Sequence, residues 1–159
     1  MLDLGCGNNK LEGWIGVDKK QLPTVDIVCD LESGELPFEN DSIDKIRMIE
    51  VIEHIKNYDE LIGNTFKVLK KDGKILVTTP DKNCIVNRIF HNYENEHNPE
   101  HVHVFTQKEL ENLFSQHGFK IVKSYKIPYK RFICKFAWFR KRFVNENIVL
   151  MAKKSNVSP

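Results

Sequence analysis

The sequence predicts an α/β protein with a mostly parallel sheet of seven strands, and two observations carry that expectation. Short apolar runs alternate with segments of helical periodicity along most of the 159 residues, the pattern of strands joined by crossovers. Acidic residues also stand at the ends of the first three of those runs, where open α/β sheets bind their ligands. Strands are expected at residues 1–4, 14–17, 26–29, 43–49, 74–79, 120–126 and 147–152.

Two helices are well marked. The first is expected over 58–70, with Asn57 as cap, Glu60 at the capping-box position, and Leu61, Ile62, Phe66 and Leu69 on one apolar face; Asp72-Gly73 ends it. The second is expected over 107–117, capped by Thr106 with Glu109 at its third position and Gly118 after its end. Leu110, Leu113 and Phe114 make its buried stripe.

Composition bounds the partners. The chain is 41% hydrophobic and 29% charged, as in soluble globular domains, and no apolar run is long enough to span a bilayer. A net charge of +2 argues against a nucleic-acid partner. Cys6, Cys29, Cys84 and Cys134 have neither zinc-ligand spacing nor the density of a secreted disulfide scaffold. With no signal peptide ahead of Leu2, a cytoplasmic protein with reduced thiols is expected. One domain spans 1–159, with a disordered tail over 153–159.

The first strand runs into Leu4-Gly5-Cys6-Gly7-Asn8-Asn9-Lys10. Gly5 and Gly7 let the backbone turn sharply and let a ligand lie against it. A nicotinamide-dinucleotide fingerprint would need a third glycine where Lys10 stands and an acid about twenty residues on, and Asp18 comes too early for that. Asp18 closes the second strand and Asp30 the third.

Asp-x-Gly-x-Gly followed by a strand-ending acid resembles the cofactor site of class I S-adenosylmethionine-dependent methyltransferases. The segment from Ser42 to Ile55, with Glu50-Val51-Ile52-Glu53-His54, is similar to that family's fourth strand and Glu-His turn. Val68 to Val77 is similar to its "Leu-Lys-Pro-Gly-Gly, strand" segment, and Glu100 to Phe119 to its "His, Phe-Thr, helix, Gly-Phe" end. The resemblance covers about residues 1–125 in the family's order, and also matches a compact subgroup that begins Leu-Gly-Cys-Gly-Asn-Asn-Lys.

What the resemblance implies is a Rossmann-like fold with helices on both faces of the sheet and an antiparallel last strand. It implies S-adenosylmethionine as cofactor, held by Asp3 at the methionine ammonium, by Gly5, Cys6 and Gly7 in the turn, by Asp18 at the ribose diol, by Asp30 and Leu31 at the adenine, and by Glu50 beside them. The reaction would be methyl transfer to a small-molecule or glycan-like acceptor, at oxygen. His54, His101 and His103 are the candidate catalytic groups. Two rivals remain: a protein of this fold that binds without turnover, and a metal-dependent hydrolase. The first draws on a departure from the family, since only about six residues separate Asn8 from Trp14, too few for a helical crossover.

Two segments stand apart. Residues 91–103 carry His91, His97, His101 and His103 among three glutamates, but the spacing fits no zinc pattern and Pro99 interrupts a helical His97/His101 pair. No metal is expected there; a loop over the acceptor is. Residues 130–143 place Phe132, Phe136, Phe139 and Phe143 at helical spacing among lysines and arginines, a basic amphipathic pattern. It is expected to pack on the sheet or in a homodimer, with peripheral membrane contact as the alternative.

Overall fold

The computed structural model describes residues 1–83, 101–129 and 145–155. Seven strands form one sheet: β1 (Leu2–Leu4), β2 (Ile15–Asp18), β3 (Ile27–Val28), β4 (Ile43–Ile49), β5 (Leu69–Pro80), β6 (Phe119–Tyr129) and β7 (Asn145–Lys154). Their order is β3-β2-β1-β4-β5-β7-β6. The pairs from β3 to β5 are parallel. β7 runs antiparallel between β5 and β6, so the reversed last strand lies inside the sheet.

Alternation along the strands puts the apolar side chains on one face. Leu2, Leu4, Ile46, Met48, Ile75, Val77, Leu150 and Ala152 are buried there. Against them pack α1 (Tyr58–Val68), through Leu61 and Ile62, and α2 (Gln107–Gln116), through Leu110 and Phe114. The helices touch each other where His117 Nε2 meets Asp59 Oδ1 at 3.0 Å. Helices were to be expected on both faces; among the described residues α1 and α2 share one.

The opposite face of β1 and β2 is covered by the β1–β2 connection itself, which contains no helix. Polar contacts hold it in place of packing. Asp3 accepts from Arg47 Nε at 2.7 Å and from the Leu11 amide at 3.2 Å, and Arg47 donates to the Asn9 carbonyl. Lys10 reaches both oxygens of Asp26 at 2.9 Å, and Asp26 also takes the Gly16 amide. That amide, then Lys10, hold the Asp26 carboxyl below its ordinary range. Gly16 must lack a side chain, because a Cβ would come within 2.8 Å of Lys10, Cys6 and the Thr24 carbonyl.

Three local expectations change. α1 stops at Val68 and β5 starts at Leu69, so Asp72-Gly73 forms an excursion inside the strand rather than a helix end. Asn57 makes no side-chain cap bond; it donates instead to the Glu32 carbonyl. β7 continues through Lys153 and Lys154, which were assigned to the tail. Residues 84–100, 130–144 and 156–159 lie outside the described residues, as do the expectations for His91, His97, Cys84, Cys134, the phenylalanine stripe and the end of the tail.

The Thr106 cap forms as the spacing predicts. Its side chain accepts from the Glu109 amide at 3.2 Å while Glu109 accepts from the Thr106 amide at 2.7 Å. The latter bond lowers the Glu109 pKa, so its contribution is present above the ordinary glutamate range and fades as pH falls through the lowered value. Thr106→Ala should cost about 1 kcal/mol in a denaturant titration at neutral pH.

Candidate functional site

Where the parallel strands end, the chain builds a cavity of about 650 Å³. β1 delivers the glycine turn. Gly5 has φ +64° and a Cβ there would strike Val51 at 2.4 Å; Gly7 has φ +49° and open space where its Cβ would stand. Glycine at 5 is therefore set by close approach within the fold, and glycine at 7 leaves room on the cavity side. The turn is fixed to β2: the Gly5 amide donates to the Val17 carbonyl at 2.8 Å, and the Gly7 amide to Asp18 Oδ2 at 3.0 Å. Asp18 Oδ1 takes the Lys20 amide. Each of these oxygens keeps a further lone pair for a ligand hydroxyl.

The third strand supplies Asp30, which caps the 3-10 turn Leu31–Ser33 by accepting from the Glu32 amide at 3.0 Å. The fourth supplies Glu50, whose φ of +55° is uncommon for a residue with a side chain. Its amide donates to the Thr78 carbonyl, and its Oε1 accepts from Thr78 Oγ1 at 2.7 Å and Asn147 Nδ2 at 2.9 Å. Beyond Val51, the 3-10 turn Ile52–His54 brings His54 to the same cavity.

Of the expected site residues, Gly5, Gly7, Asp18, Asp30, Leu31, Glu50 and His54 line this one cavity. His101 is one contact removed, its ring set edge-on against His54 with centroids 4.7 Å apart. It is placed there by the backbone, because the Glu53 carbonyl accepts both the Val102 and His103 amides. His103 instead packs on Tyr58, 4.7 Å between centroids, and is not part of the lining.

Two expected cofactor contacts lie elsewhere. Asp3 is 1% exposed and committed to Arg47 and Leu11; it braces the turn from beneath and is not in the cavity wall. Cys6 is buried against Gly16, and burial, then the Asp3 and Asp18 carboxylates, push its thiol upward, which keeps it neutral and inert. The sequence reading missed Val51 and Ile55, which line the wall from within the Glu-His segment, and Lys19 and Lys20, which follow Asp18. The period of the short Val51–Ile55 turn was the available signal.

The wall carries the carboxylates of Asp18, Asp30, Glu32 and Glu50. Lys19, Lys20 and Lys56 line it as well, so what the wall offers is carboxylate acceptors at the strand ends, suited to a ligand with hydroxyl donors and a positive charge. A sulfonium with a ribose diol fits that description, and the open space before Gly7 gives its chain a place to lie.

A family model described as a methyltransferase domain matches residues 1–124. The chain belongs to this methyltransferase family. The fold is shared with solved structures of low identity. One is a putative methyltransferase from Bacillus halodurans (15% identity, 98% of this chain and 92% of that one, TM-score 0.73). Another is an S-adenosylmethionine-dependent methyltransferase from Thermotoga maritima, described as a possible histamine N-methyltransferase (18%, 97% and 81%, TM-score 0.76). A third is a phosphoethanolamine N-methyltransferase from Haemonchus contortus, in complex with S-adenosylhomocysteine and phosphomonomethylethanolamine (19%, 98% and 48%, TM-score 0.66). No curated protein sequence matches. The cofactor of this methyltransferase is S-adenosylmethionine. Among the described residues no helix is long and apolar enough to cross a membrane.

Proposed function

We propose that this methyltransferase acts in the cytoplasm on the hydroxyl of a small-molecule or glycan-like acceptor. Asp18 would hold the ribose hydroxyls, Asp30 and Leu31 the adenine, and the Gly5–Gly7 turn the chain between them. The observation that carries this reading is the convergence of those residues with His54 on one cavity.

When bound, the cofactor supplies a methyl group made electrophilic by the sulfonium. The work left to this chain is alignment and proton removal. Holding donor and acceptor in line can contribute about 7–11 kcal/mol. Methylation of the acceptor oxygen would require the protein to take up the hydroxyl proton. His54 is the imidazole in the cavity wall placed to take it, and His101 buttresses its ring. His54→Ala should lower kcat about 10²–10⁴-fold while the Kd for S-adenosylhomocysteine, measured by calorimetry, stays within about threefold. A larger change in Kd than in kcat would move His54 from proton transfer to cofactor binding.

A second reading, cofactor binding without turnover, draws on the helix-free β1–β2 connection, which leaves the methionine end of the cavity less enclosed than a helical crossover would. Incubation with radiolabelled cofactor and a panel of hydroxylated acceptors separates the two: retained cofactor affinity with no labelled product from any acceptor favours the second.

A further inference from the structure

Four lysines stand side by side on the sheet face that α1 and α2 leave bare. The strand registers pair Lys45 with Lys74, Lys74 with Lys153, and Lys153 with Lys120. All four lie opposite the core, since their strand neighbours Ile46, Ile75, Ala152 and Phe119 are buried. With strands about 4.8 Å apart, the row is roughly 14 Å long. Like charges directly opposite one another weaken a sheet, and here three consecutive cross-strand pairs are alike. Lys153 reaches Asp72 at 3.1 Å, but no acid stands within the row.

The lysines adjoin exposed apolar side chains on two of these four strands, β6 and β7. Met151, Tyr125, Ile127 and the bulge residue Val122 are 38%, 37%, 39% and 58% exposed. Lys123 lies over the Tyr125 ring at 4.8 Å. Tyr125 is the one ring among these four side chains and Lys123 lies over it, so the patch lacks the row of free aromatics on which nucleic-acid grooves stack bases. A soluble polyanion would be served by the charges and gain nothing from the apolar patch. A bilayer with anionic headgroups uses both, the ammonium groups at the phosphates and the apolar groups and lysine stems at the acyl boundary.

We propose that this face, with the Lys45–Lys74–Lys153–Lys120 row as its anchor, docks the enzyme on an anionic lipid surface. The row sits at the start of β4 and β5, whose other ends lead to Glu50 and the cavity, so docking leaves the cofactor site open. None of the four lysines lines the cavity.

The test is sedimentation of the full chain with phosphatidylcholine vesicles and with mixed phosphatidylcholine–phosphatidylglycerol vesicles. The parent should bind only the mixed vesicles, less tightly as salt rises. Each lysine near such a surface contributes about a fivefold factor, so K45E/K74E/K120E should weaken binding by about a hundredfold or more. Lys74→Glu alone turns two repulsive pairs into attractive ones, so it should raise the thermal midpoint while weakening vesicle binding. S-adenosylhomocysteine affinity should be unchanged in both variants. Equal binding to neutral vesicles, retention of anionic-vesicle affinity by the triple variant, or tighter binding to soluble polyphosphate than to vesicles would overturn the proposal.

Discussion

Asp3→Ala should unfold the protein about 3 kcal/mol more easily than the parent, the largest stability loss expected from a single polar change here. The carboxylate is 1% exposed and its partner Arg47 only 15%, so its removal leaves a guanidinium poorly solvated and without its carboxylate partner at Nε. The Leu11 amide loses its acceptor as well. Cofactor affinity should change far less than stability, because Asp3 braces the connection and does not line the cavity. Denaturant titration combined with calorimetry on S-adenosylhomocysteine separates the two roles. A large loss of affinity with little loss of stability would restore Asp3 to the methionine ammonium.

Asp18→Ala has the opposite signature. It should weaken cofactor binding by about 1.5–3 kcal/mol, a loss of roughly tenfold to a hundredfold, as expected for hydrogen bonds to a charged acceptor. Folding should also suffer, by about 1–2 kcal/mol, because the Gly7 and Lys20 amides lose their acceptor. Asp18→Asn keeps one carbonyl acceptor and should recover part of the stability but little of the affinity. An unchanged Kd for S-adenosylhomocysteine in both variants would remove Asp18 from the site, and binding of a nicotinamide dinucleotide would redirect the assignment altogether.

Much of this architecture was legible from residues alone because local signals and the sheet agree. The fourth strand falls on residues 43–49 as predicted, since Ile46 and Met48 alternate with Lys45 and Arg47 even though the register shifts after Ile43, and the Thr106 cap forms because both of its partners lie within four residues. What was illegible depends on distant contacts. Asp3 reads as a ligand-binding acid until Arg47, forty-four residues on, is brought beside it. Asn57 reads as a cap until the Glu32 carbonyl takes its amide. Asp72-Gly73 reads as a stop because nothing local reveals that β4 will accept a strand with an excursion in it. In the cavity, the glycines and strand-end acids announced themselves, whereas Val51 and Ile55 are apolar residues whose place in the wall follows from a single short turn.

The position of β7 sets an order on how the protein can be made. Among the described residues β6 pairs with β7 and with no other strand, and β7 joins it to β5. On the ribosome, the half from β3 to β5 can assemble through pairings that close short chain segments, such as Leu2 with Ile15. α2 and β6 then emerge with no strand to receive them and with Phe114 and Phe119 unsheltered. They wait for residues 145–154, which enter between two strands already synthesised. β7 is thus the strand that joins β6 to β5, and a stalled nascent chain ending before it should present a half-sheet for chaperones to hold.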